Sequence, residues 1–117
     1  MLQNVEKQVL AEEVKNAMLE LYGDRLSGII LYGSYARKDF NAGSDIDFLV
    51  LLDKTNLDYG EEIQRITKVV YPMMLDHDII ISCLPSPLDR WKLESSFFFD
   101  RVKKDGIPIW MKKSDAS

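Results

Sequence analysis

The chain has 117 residues, room for one domain of ordinary size and not for two. Hydrophobic residues make up 46% and charged residues 29%, which sets aside the disordered and fibrous classes. With Lys+Arg 15 against Asp+Glu 19, the net charge of −4 opposes broad binding to a phosphate backbone, so nucleic acid is a poor main ligand.

The opening stretch, MLQNVEKQVLAEEVK, is charged from Glu6 onward and has no apolar core of a leader, and no apolar run approaches the length of a membrane span. The single cysteine, Cys83, leaves stability to packing in a reducing compartment, and a cytoplasmic protein is expected. Val5, Val9, Leu10, Val14, Ala17, Met18, Leu21 and Tyr22 follow helical spacing, with Asn4 as the expected N-cap and Gly23 as the stop. Leu26–Tyr32 reads as a buried strand running into Gly33-Ser34, a short helix starts at Ser34, and residues 40–43 read as loop. Ile46–Leu52 is a second strand. A helix follows within residues 56–75, which Pro72 is expected to kink or end early. Asp78–Leu84 reads as a third strand, Leu88–Lys104 as one helix, Ile107–Met111 as a short last strand, and residues 112–117 as a polar tail. The fold class expected is α/β (α+β), a small mixed sheet of about four strands flanked by helices in a single domain over residues 1–117.

The stretch between the first two strands carries the chemistry. Asp45 and Asp47 lie two apart at a strand start, so their side chains leave one face while Ile46 and Phe48 leave the other. Two adjacent anions repel unless a cation lies between them, and Mg²⁺, which keeps waters and substrate phosphates, suits such an open pair. A third carboxylate on a neighbouring strand would allow two ions roughly 4 Å apart, the clamp used in phosphoryl transfer. Asp78, expected to open the third strand, is the first choice for it, and Asp76 is the competitor. Gly33 allows close backbone approach, Ser34 adds a hydroxyl, and Arg37 lies one helical turn on, within reach of the same anion. An Asp-x-Asp alone is usually a solvated face and a Gly-Ser turn is commoner still. Their combination between two strands points to a phosphate and metal site.

The pattern Gly-Ser, ten residues, Asp-x-Asp resembles that of the DNA polymerase β-like nucleotidyltransferase superfamily. GSYARKDFNAGSDIDFLV is similar to the minimal nucleotidyltransferase branch, whose usual form is G-S-x-A-R-G, six or so residues, S-D-I-D. One departure is Lys38, where the family usually has glycine; if the position needs positive φ, lysine costs on the order of 1 kcal/mol. The resemblance implies that Asp45, Asp47 and Asp78 hold two Mg²⁺ and that Gly33, Ser34, Arg37 and Ser44 cradle the triphosphate of ATP. It further implies AMP transfer to a protein hydroxyl, a tyrosine of a HEPN-type ribonuclease toxin, with this chain as the antitoxin and a complex of the two as the assembly. A non-catalytic antitoxin acting by occlusion and a small-molecule transferase are the alternatives.

Other residues have ordinary roles. His77 is expected on the opposite face from Asp78 as a structural residue, and Cys83 as a buried inert thiol. Phe97, Phe98 and Phe99 step about 100° apart and cannot share one core, so one of them is free to touch a partner. Arg101, Lys103, Lys104, Lys112 and Lys113 form a basic end that solvent or an acidic partner surface would satisfy.

Overall fold

A computed structural model describes residues 2–41 and 43–113; residues 114–117 of the expected polar tail lie outside the described residues. The first helix, α1, spans Asn4–Tyr22, with Gln3 rather than Asn4 at the cap position and no side-chain cap. It buries Leu10, Ala11, Val14, Met18 and Tyr22, while Val5 and Val9 of the expected stripe stay exposed at its first turns. Gly23 ends it with φ 56, a conformation glycine takes without steric penalty, and a 3₁₀ turn over Gly23–Arg25 leads into the sheet.

Four strands follow: β1 (Leu26–Tyr32), β2 (Ile46–Leu52), β3 (Ile81–Pro87) and β4 (Ile107–Met111). They lie in the order β3-β2-β1-β4, with β1 antiparallel to both β2 and β4 and β2 parallel to β3, so the expected mixed four-stranded sheet is present. The central strand β2 alternates its side chains between two cores. Ile46, Phe48, Val50 and Leu52 pack with α1 and with α3 (Tyr59–His77). Leu49 and Leu51 pack on the other face with Phe99 and Val102.

Three boundaries differ from expectation. Helix α3 runs five residues past Pro72 to His77. Pro72 is exposed, as is Lys68, whose carbonyl it leaves without an intrahelical donor. The helix is anchored at both ends: the Asp58 side chain accepts from the Glu61 amide at 3.1 Å, and a His77 ring nitrogen lies 3.0 Å from Glu13 on α1. Glu62, buried on α3, accepts from the Tyr22 hydroxyl at 2.9 Å and raises that phenol's pKa together with burial, the larger cause. Strand β3 begins at Ile81, three residues later than Asp78, and incorporates Pro85 and Pro87. It is an edge strand, where a missing amide breaks no ladder bond on the open side.

The expected helix over Leu88–Lys104 is two, α4 (Leu88–Leu93) and α5 (Phe97–Asp105). Ser96 divides them, its hydroxyl accepting from the Phe99 amide at 3.1 Å and starting a new helix. Only Phe99 of the three consecutive phenylalanines is buried in the core.

Candidate active site

The acid pair stands where the sheet ends. Asp47 is the second residue of β2 and shares a face with Leu49 and Leu51, so beyond that core its carboxylate emerges, half-buried, on the α4/α5 side. Asp45 precedes the strand and is exposed. Beside Asp47 in register stand Tyr32 on β1 and Ser82 on β3, both on its face.

Gly33 closes the site from the β1 end. Its φ of 76 is one that side-chain-bearing residues rarely adopt, and a Cβ there would lie 2.5 Å from Asp47 Oδ2. The backbone therefore touches the carboxylate in a way only glycine permits. The Gly33 carbonyl accepts from the Ala36 and Arg37 amides at 3.1 Å each, folding the turn into α2 (Ser34–Arg37). Lys38 ends α2 with φ 66, so the position where the family usually has glycine does need positive φ.

Electrostatics follow from this placement. Burial raises the Asp47 pKa above the usual carboxylate value, Asp45 raises it further by like-charge repulsion, and Arg37 draws it back down. Burial, and then the negative charge of Asp47, push the Tyr32 phenol and the Cys83 thiol each up to about 12. Cys83 is thus held as an unreactive thiol. Arg37 Nε lies 3.1 Å from Asp39, an exposed pair weak enough to yield to a phosphate.

Of the residues expected in the site, Asp45, Asp47, Gly33, Ser34 and Arg37 cluster at this end of the sheet. Asp78 does not open β3. It caps α3 in the left-handed conformation, φ 51, and among the described residues no group of three or more His, Cys, Asp or Glu side chains is placed to hold a metal. The physical reason is the extra length of α3, which uses Asp78 as its stop and leaves Ser82 at the position beside Asp47. Asp76 lies within α3 and is exposed. Ser44 closes its own loop: its hydroxyl accepts from the Asn41 amide at 2.9 Å, and its amide donates to the Asn41 carbonyl at 3.0 Å. Tyr32 and Ser82 were not anticipated. The signal for Ser82 was a lone polar residue interrupting the apolar run Ile79–Leu84.

Two clefts flank the pair. One, about 260 Å³, lies between Tyr32, Gly33 and Arg37 and the α5 residues Phe97, Phe98 and Arg101. The other, about 380 Å³, joins Ser44, Asp45 and Asp78 to Tyr71, Leu75 and Ile80. Two carboxylates that repel each other, one already resisting ionisation, fit a divalent cation that takes oxygen ligands.

Comparison with known proteins agrees with this geometry. The family model described as "Nucleotidyltransferase domain" matches residues 11–104. A Methanocaldococcus jannaschii protein named as a protein adenylyltransferase is 32% identical over 100 residues, 86% of this chain and 95% of the relative. Among solved structures, a chain of a toxin-antitoxin complex with AMP-PNP superposes with a TM-score of 0.61 at 18% identity, covering 88% of this chain and 74% of that one. A chain from the complex of a tri-AMPylated Shewanella oneidensis HEPN toxin with an MNT antitoxin gives 0.57 at 18% identity, covering 91% and 73%. At such identities the solved structures share the fold, but the sequence match runs from the middle of α1 to the end of α5 across the whole acid and glycine site, and on that ground the chain belongs to the nucleotidyltransferase domain family.

Proposed function

We propose that this protein transfers AMP from ATP to a tyrosine hydroxyl of a HEPN-type toxin and thereby acts as its antitoxin in the cytoplasm. The observation that carries the proposal is the Asp45–Asp47 pair at the open end of β2 with Gly33 packed against Asp47. Occlusion alone would need no mutually repelling carboxylates. The acceptor is supported by the name of the Methanocaldococcus jannaschii relative and by the fold shared with chains of toxin-antitoxin complexes, one of which contains an AMPylated toxin.

In this proposal Asp45 and Asp47 hold Mg²⁺, which when bound neutralises the triphosphate and polarises the phosphorus under attack. Asp45 and Asp47 would hold the metal from the protein side, and the residue in register with Asp47 on β3 is Ser82 rather than a third carboxylate. Gly33 admits the phosphates to the backbone, while Ser34 and Arg37 contribute a hydroxyl and a guanidinium. Ser44 stabilises the loop that presents Asp45. The tyrosine oxygen forms a bond to the α-phosphorus as the bond from the α-phosphorus to the bridging oxygen breaks, releasing pyrophosphate, and the hydroxyl proton passes to water.

Intact-mass spectrometry of the toxin after incubation with this protein, ATP and Mg²⁺ tests the proposal. The expected result is an increment of one AMP less a water for each transfer, with loss of ribonuclease activity. A toxin inhibited without any mass increment would establish occlusion instead.

A further inference from the structure

We infer that the cleft between the Gly33 turn and α5 receives the nucleobase, and that Phe97, Phe98 and Arg101 determine how tightly the base is held. The inference rests on the nucleotidyltransferase function above and adds the side of the acid pair on which the nucleotide lies.

Charge decides between the two clefts. The α3-side groove carries Asp45 and Asp78 and has no lysine or arginine among its described lining residues, so a triphosphate would enter it against like charge. The α5-side cleft carries Arg37 on one wall and Arg101 on the other, with Asp105, 3.5 Å from Arg101, as its one acid, so cations outnumber acids in its lining. It is also continuous with the acid pair: Gly33 lines it and touches Asp47, and Tyr32 lines it and stands beside Asp47 in register.

The aromatic residues give the cleft its chemistry. Phe98 meets Tyr32 edge to face at 5.3 Å between centroids, and the Arg101 guanidinium lies 5.9 Å from the Phe97 ring. Phe97 is 80% exposed, a large apolar ring that the protein's own core does not use. Bases stack on aromatic rings and on guanidinium planes, and every base offers such a face. At about 260 Å³ the cleft is smaller than the roughly 300–1,000 Å³ of sites that enclose a whole ligand, and so suits one part of a nucleotide while its phosphates extend towards Gly33 and Asp47. This placement also gives a role to two of the three consecutive phenylalanines that the hydrophobic core leaves unexplained.

Calorimetric titration of ATP and, separately, of inorganic triphosphate, both with Mg²⁺, separates the base from the phosphates. Phe97→Ala removes an exposed ring, Phe98→Leu keeps apolar bulk against Tyr32, and Arg101→Gln keeps length without charge; circular dichroism confirms that each is folded. The expected result is an ATP affinity weakened about tenfold in Phe98→Leu, with a smaller loss in Phe97→Ala, and triphosphate affinity unchanged in both. Arg101→Gln, which removes one stacking face, should likewise weaken ATP by a smaller factor than Phe98→Leu. ATP affinity unchanged in all three variants would place the base elsewhere, and equal weakening of ATP and triphosphate would make the cleft a phosphate site; either overturns the inference while leaving AMP transfer standing. Failure of the wild-type protein to bind ATP at all would overturn the transferase function and this inference together.

Discussion

On one side of Asp45 and Asp47 the cleft walls carry Arg37, Arg101, Phe97 and Phe98; on the other the groove carries Asp78, Tyr71, Leu75 and Ile80. The first side is aromatic, with two arginines against the single carboxylate of Asp105, and the second is anionic and apolar. Tyr71, Leu75 and Ile80 are 55%, 66% and 61% exposed, and Ile63 further along α3 is 41% exposed, so the apolar surface continues outward from the groove. Such a row of exposed apolar side chains is the kind of surface another protein covers. The difference teaches that two approaches to the same end of the sheet differ in character, one aromatic with arginines and the other acidic with exposed apolar side chains.

The largest effect should come from the carboxylates that both sides share. Replacing Asp45 and Asp47 together with Asn should reduce AMP transfer by more than about a thousandfold, measured with labelled ATP, because the several kcal/mol of charge stabilisation supplied through the metal would be lost. Full transfer by the double variant would remove the pair from the chemistry. Next, Leu75→Asp with Ile80→Asp should cut transfer to a protein acceptor about tenfold, while ATP affinity, set on the opposite side, stays unchanged. A matching fall in ATP affinity would break the separation of the two sides.

A smaller effect belongs to Asp78. It lines the α3-side groove but caps a helix, so Asp78→Asn should lower transfer only about two- to fivefold, since asparagine tolerates the left-handed conformation as aspartate does. A loss comparable to that of the Asp47 variant would return Asp78 to the ligand set.

The last two predictions concern stability. Because the folded state raises the Asp47 pKa, its contribution is fully present below the ordinary carboxylate value of about 4 and is lost as pH rises through the folded value. The metal-free protein should therefore lose thermal stability across that window, and Asp47→Asn should remove that component of the pH dependence. An unchanged melting profile in the variant would show that Asp47 is not strained by its surroundings. Lys38→Gly should stabilise the protein by up to about 1 kcal/mol in chemical denaturation, since it relieves a left-handed lysine at the cost of some unfolded-state entropy.

Much of the site was legible because its parts are close in sequence. Asp45 and Asp47 are two residues apart, and the Gly33 turn that packs against Asp47 precedes them by a single loop and a helical turn. The place of Asp78 was not legible. Asp78 stands directly before an apolar run, which reads as a strand start. Whether Asp78 begins the strand or ends the helix depends on whether α3 survives Pro72, and that was decided by the packing of α3 on α1, the His77–Glu13 contact among it. The split at Ser96 was hidden for a similar reason: a serine within an amphipathic stretch becomes an N-cap only when the chain must turn to lay Phe99 and Val102 on the sheet.

What the sequence by itself determined was local: the strands Leu26–Tyr32 and Ile46–Leu52, the glycine required at Gly33, the paired carboxylates, and the strained Lys38 that a family comparison exposes. These follow from alternation, turn chemistry and backbone sterics, which act within a few residues. The tertiary structure alone decided which residues face the acids from afar. Register across β1, β2 and β3 brought Tyr32 and Ser82 beside Asp47, and the docking of α5, some fifty residues downstream, set Phe97, Phe98 and Arg101 across from the Gly33 turn. Strand pairing and the burial of Phe99 and Val102 fix those neighbours, and neither leaves a mark in the local pattern of residues.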